Sequence, residues 1–97
     1  MLVVVNFTYD KYLVSIPDKT KYKPFKLQNL FDKWLFDEKV DHEYWVYTDG
    51  KKDYVSYDID AFIKWLNENI FADCDDKVKI VEKDISNIPK ELERLYF

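Results

Sequence analysis

Apolar and polar residues alternate with a period of two from residue 2 to residue 16. Val3, Val5, Phe7 and Tyr9 fall on one side, and Tyr12, Val14 and Ile16 continue the same set. This alternation predicts two half-buried strands. With Asp10 and Lys11 as a two-residue turn, Tyr9 faces Tyr12, Phe7 faces Val14 and Val5 faces Ile16, all on one face of a hairpin. That turn lacks the glycine tight loops favour, and Pro17 closes the second strand. Residues 18–26 are basic and contain Pro24, so they read as a loop or a short edge strand. The period then changes. Leu27, Leu30, Phe31, Trp34 and Leu35 stand at i, i+3, i+4, i+7 and i+8, which predicts a helix over 27–36 with Gln28, Asn29, Asp32 and Lys33 outside its apolar stripe. Phe36 lies off the stripe, and 37–42 is a polar connection.

Residues 43–48 and 53–57 flank Asp49 and Gly50, the strongest hairpin signal in the chain. A two-residue loop pairs Trp45 with Tyr54 and Tyr44 with Val55, and a four-residue loop shifts the partners by two. Under either register, parity places Trp45, Tyr47, Tyr54 and Ser56 on one face and Tyr44, Val46, Val55 and Tyr57 on the other. The second set is the more aliphatic and is expected to face the core. Asp58 is a suitable N-cap for a helix over 59–71, whose stripe is Ile59, Phe62, Ile63, Leu66 and Ile70 with Trp65 at its edge. An acidic loop over 72–76 leads to an edge strand over 77–83, blunted by lysines around Val78, Ile80 and Val81. A short last helix over 87–97 is entered through Pro89. The predicted order is β-β-α-β-β-α-β-α. Both helical stripes are single-sided and need a common core, so the expected fold is α+β, two-layered, with one mainly antiparallel sheet and the helices on one face. An offset of 31 residues brings Phe31, Lys33, Trp34 and Leu35 onto Phe62, Lys64, Trp65 and Leu66. Either a duplicated strand–strand–helix unit or two helices that each need a Trp-Leu anchor explains this.

Composition narrows the class. A chain of 97 residues, 47 % apolar and 19 % aromatic, suits one domain over 1–97 with a small core. The longest apolar run, residues 1–5, is too short for a membrane helix and lacks the basic flank of a secretory signal. The only cysteine, Cys74, has no partner within the chain, which fits a reducing compartment, so the expected location is cytoplasmic. Nineteen acids outweigh fifteen basic residues, and Arg94 is the sole arginine, an inventory that disfavours direct nucleic-acid binding. The excess of lysine over arginine, with abundant Asn, Ile, Asp, Tyr and Phe, has the look of an AT-rich genome.

Candidate chemistry is sparse. His42 is the only histidine, and none of Ser15, Ser56 and Ser86 sits in a strand–turn–helix elbow, so His42 reads as a solvated turn residue. Cys74 lies among Asp73, Asp75 and Asp76, whose charges oppose thiolate formation. One Cys and one His make no zinc site, the aspartates lack the spacing of a calcium loop, and a single glycine forms no phosphate cradle. The expectation is therefore a protein without catalysis, cofactor or metal, whose function survives replacement of His42 or Cys74 by alanine. The expected docking surface is Trp45, Tyr47 and Tyr54, helped by Asp37, Glu38, Asp41, Glu43, Asp73, Asp75 and Asp76. Such a surface suits another protein with a basic face, approached by electrostatic steering. In size, acidity and composition the chain resembles in kind the small phage inhibitors that block host nucleases, anti-CRISPR proteins among them, though no motif carries the resemblance. The alternatives are a self-associating module that dimerises through the aromatic face, and a small metal-dependent hydrolase using aspartates.

Overall fold

The alternation over 2–16 does become an antiparallel pair. In the computed structural model, which describes residues 1–97, Leu2–Asn6 forms β1 and Lys11–Ser15 forms β2, with Val3 opposite Val14 and Val5 opposite Tyr12. The turn lies two residues earlier than expected. Phe7 and Asp10 exchange backbone hydrogen bonds of 2.8 and 3.1 Å around Thr8 and Tyr9, neither of which has positive φ, so the turn needs no glycine. Because the register moves by an even number of residues, the side chains within the strands keep their expected face, whereas Tyr9, expected opposite Tyr12, is taken into the turn. Val3, Val5, Val14 and Ile16 are buried, while Tyr9 stands 95 % exposed at the tip.

Two further strands complete this sheet. Lys79–Lys83 (β5, numbered after the hairpin strands β3 and β4 described below) pairs antiparallel with β2, and Glu93–Tyr96 (β6) pairs parallel with β1, giving the order β5-β2-β1-β6. The lysine-rich strand is at an edge, as expected. The last helix expected over 87–97 is not formed, and its second half is β6 instead. Leu95, only 2 % exposed, is inserted beside Val5, and the buried amides of Asn6 and Gln28 donate to the carbonyls of Leu95 (3.4 Å) and Tyr96 (2.6 Å). Those long-range partners override a local pattern too short to show a period.

β5 and β6 run in the same direction on opposite edges, so residues 84–92 must cross the whole sheet, and they do so without a helix. Val4 points away from Val3 and Val5 yet is fully buried. The half-buried Ile85, Ile88 and Leu92 of the crossing segment are the apolar residues available to cover that face.

The other face carries the helices. Pro24–Leu35 (α1) begins three residues before the predicted start, with Pro24 in the first turn, where its missing N–H costs nothing. Ile59–Trp65 (α2) starts at Asp58, whose carboxylate accepts from the Asp60 N–H at 3.0 Å. It then widens into a π-helical turn over Leu66–Ile70, where the N–H of Phe71 reaches back to the carbonyl of Leu66 at 2.9 Å. Leu27, Phe31, Leu35, Phe62 and Leu66 are buried between helices and sheet. Phe97 closes this core from the end of β6, stacked on Phe7 at 4.9 Å and 5.1 Å from Phe62. No helix is long and apolar enough to cross a membrane.

Trp45–Thr48 (β3) and Lys51–Val55 (β4) form a separate two-stranded sheet, where a single sheet was expected. Asp49 and Gly50 have φ of 53° and 76°, the paired positive values of a tight hairpin turn. Near the turn the ladder is as predicted, with Thr48 opposite Lys51 and Tyr47 opposite Lys52. One residue further on it is not. Val46 faces Tyr54 and Trp45 faces Val55, because Asp53 is an extra residue in β4, held by a 2.7 Å hydrogen bond from the Thr48 hydroxyl. A one-residue bulge inverts every parity assignment beyond it. Trp45 and Tyr47 therefore share a face with Lys52 and Val55, and Tyr54 lies with Val46 on the opposite face. The expectation that Trp45, Tyr47 and Tyr54 share one face fails for this reason.

Candidate interaction surface

Three polar side chains brace this region: one ties it to α1, and two tie the hairpin to the preceding loop. The first is His42, which is half-buried rather than solvated. Its Nε2 lies 2.6 Å from the carbonyl of Leu35, the last residue of α1, and its Nδ1 accepts from the N–H of Tyr44 at 3.1 Å. These partners place the ring proton on Nε2, which donates to a carbonyl left open at the helix end. The imidazole is also sandwiched, 4.5 Å from the Trp34 ring and stacked at 11° and 5.4 Å on Trp45. With both nitrogens engaged inside the fold, His42 acts as a pin between α1 and β3.

Lys52 and Trp45 supply the other two fastenings. The Lys52 side chain, only 17 % exposed, donates to the carbonyls of Glu38 and Val40 and pairs with Asp41 at 2.5 Å. Its ammonium lies 5.5 Å from the Trp45 ring centroid, and the Trp45 indole N–H donates to Val40 at 2.8 Å. The hydrogen bond and charge of Lys52 hold the Asp41 carboxyl below the usual carboxylate range. On the side facing α2, Glu43 pairs with Lys64 at 2.7 Å, which lowers the Glu43 pKa and raises that of Lys64. Burial, then the nearby Glu43 charge, raises the Tyr44 phenol.

The residues expected to form one docking surface are thus divided. Trp45 is half-buried under Lys52 and His42. Tyr47 and Tyr54 are 52 % and 56 % exposed and project from opposite faces of the hairpin. Asp37 accepts from the N–H of Lys39 at 3.0 Å, Glu38 is exposed, and Asp41 and Glu43 are neutralised within the chain. Asp73, Asp75 and Asp76 lie elsewhere, bordering a cleft with Pro17, Asp18 and Lys19 beyond the start of β1. They share no hydrogen bond, ion pair or cavity with the 37–43 loop. No three His, Cys, Asp or Glu side chains converge as a metal cage.

What remains together is charge and exposed aromatic surface on the hairpin lobe. Residues 37–57 hold six acids against three lysines, while the rest of the chain holds thirteen acids against twelve basic residues. Most of the net negative charge of the molecule therefore resides in this segment. Sequence reasoning found the lobe but missed His42 and Lys52, the residues that brace it. The one available signal was the density of aromatics around His42, with Trp34, Tyr44 and Trp45 close by in sequence. Compared with known proteins, the chain matches no family model, no curated protein and no solved structure.

Proposed function

We propose that this chain is a non-catalytic binding protein that docks on a basic surface of another protein through its 37–57 lobe. The observation that carries this reading is the coincidence of the acidic segment with the exposed Tyr47 and Tyr54. Clustered acids steer a basic partner, and large aromatics then supply desolvated anchors. With the two tyrosines on opposite faces, the hairpin is suited to enter a cleft edgewise and to be gripped from both sides. Occlusion of the basic channel of a nucleic-acid enzyme, in the manner of a phage inhibitor, is the specific form of this reading.

The test is affinity capture from a host extract with three forms of the chain: unmodified, Tyr47→Ala/Tyr54→Ala, and Tyr9→Ala as an exposed aromatic outside the lobe. The reading expects a protein held by the unmodified and Tyr9→Ala chains, lost from the double variant and released by salt. Retention by the double variant, equal loss from Tyr9→Ala, or no captured protein overturns it.

A further inference from the structure

An open cavity of about 220 Å³ lies between the end of α1, residues 42–44, and α2 with its π-helical turn. Trp34, Tyr44 and Trp65 form its aromatic walls. The rings of Trp34 and Trp65 are 6.1 Å apart, and Tyr44 meets Trp34 edge-on at 6.4 Å. The polar groups at the rim differ in what they leave available. His42 has both nitrogens engaged. Asn69 donates its amide hydrogen to the Trp65 carbonyl at 2.9 Å, which leaves its side-chain oxygen as an acceptor. Glu68, carried on the widened turn, has no ion pair. Glu43 is paired with Lys64, but that pair is about half exposed, and exposed pairs contribute little and exchange readily.

The free functionality of this cavity is therefore an amide oxygen and the Glu68 carboxylate, and with Glu43 two carboxylates face the single Lys64 ammonium. Aromatic walls lined with acceptors favour a cation with an alkyl body, since the rings bury the methylenes while the acceptors at the rim take the charge. We propose that this cavity binds an alkylammonium group, the end of a lysine side chain presented by the basic partner. The source of the lysine rests on the docking function proposed above, whereas the recognition chemistry rests on the cavity alone. Lys64 occupies the rim as a built-in competitor for Glu43.

The experiment titrates the free chain with Nα-acetyl-lysine methylamide and follows the indole N–H signals of Trp34 and Trp65 by NMR. Nα-acetyl-norleucine methylamide, similar in apolar body but uncharged, is the control. Saturable shifts are expected with the lysine amide and not with the norleucine amide. Glu68→Gln should weaken binding about three- to fivefold, and Lys64→Gln should tighten it by about the same factor, as for exposed charge pairs. Equal shifts with the norleucine amide, no saturation, or weaker binding by Lys64→Gln overturns the proposal. The Tyr47→Ala/Tyr54→Ala chain should bind the lysine amide unchanged. Failure of the docking surface and failure of the cavity are thus read separately.

Discussion

The sheet-and-helix body and the hairpin lobe are held together by different forces. In the body, fifteen buried apolar residues form one cluster that joins β1 and β2 to both helices and Leu95. From Phe36 to Asp58 no residue is buried at all. The lobe is kept in place by the His42 bond to the Leu35 carbonyl, the Glu43–Lys64 pair and half-buried aromatics that lean on the body, while Trp45 and Lys52 bond to carbonyls within the lobe itself. Apolar burial is insensitive to direction, whereas hydrogen bonds to carbonyls fix orientation. The body is thereby made stable and the lobe is made precise, and the lobe is expected to open locally at lower free energy than the body.

The largest effect should come from the body. Phe62→Ala is expected to cost about 3–5 kcal/mol, the range for a buried aromatic, measured by chemical denaturation. A loss under about 1 kcal/mol would show that the cluster is not what holds the molecule together. Next is His42→Ala, which removes a bond to Leu35, an acceptor for Tyr44 and the ring contacts with Trp34 and Trp45, and should cost about 1–3 kcal/mol. Amide exchange is the sharper measurement here. Protection should fall in β3 and β4 while Val3, Val4 and Val5 keep theirs, and a uniform fall would erase the distinction between the regions. Lys52→Met keeps the apolar stem but leaves the Glu38 carbonyl without its donor and the Val40 carbonyl with only the Trp45 indole. It should cost about 1 kcal/mol and shift the Trp45 fluorescence toward that of a solvated indole.

The smallest effect concerns Asp32 on α1, one of whose carboxylate oxygens is buried without a partner. Burial raises its pKa, so the folded chain holds the proton more tightly than the unfolded chain does. The ionised carboxylate is thus penalised by folding, and the penalty applies in full above the folded pKa. Asp32→Asn should raise stability slightly at neutral pH. The gain should shrink as pH falls through the raised pKa and vanish below the ordinary carboxylate range. A gain that persists in acid would trace to something other than ionisation.

Legibility in the sequence followed the same division. The stripes over Leu27 to Leu35 and Ile59 to Leu66 give most of their buried faces because helix periodicity is local, though Gln28, expected outside, is buried by its bond to Tyr96 and Ala61 is buried too. The Asp49 and Gly50 turn appeared where its chemistry placed it. In the first hairpin the turn was misplaced, yet every strand residue kept its face, because alternate registers differ by even steps, and only Tyr9 was lost to the turn. The second hairpin had the right turn and the wrong faces, because a single bulged residue, Asp53, is invisible to a parity argument. β6 was missed because its four residues acquire strand character only through β1, Asn6 and Gln28, all distant in sequence. The roles of His42 and Lys52 were hidden for the same reason, since their partners are backbone carbonyls and carry no residue-type signal.

The pairing of β6 with β1 also governs the order in which the molecule can be assembled. Asn6 and Leu95, bonded across 89 positions, close a loop almost as long as the chain, and such contacts yield no gain until their large closure entropy has been overcome. As the chain emerges from the ribosome, β1, β2 and α1 can associate early. Val5, Phe7, Phe31 and Phe62 nevertheless lack Leu95 and Phe97 as cover until residues 93–97 are free. Through that interval one edge of β1 is an open template with apolar residues beside it, the condition in which strands pair with the wrong chain. Docking of residues 93–97 is accordingly the step expected to set both the folding rate and the window of vulnerability to aggregation.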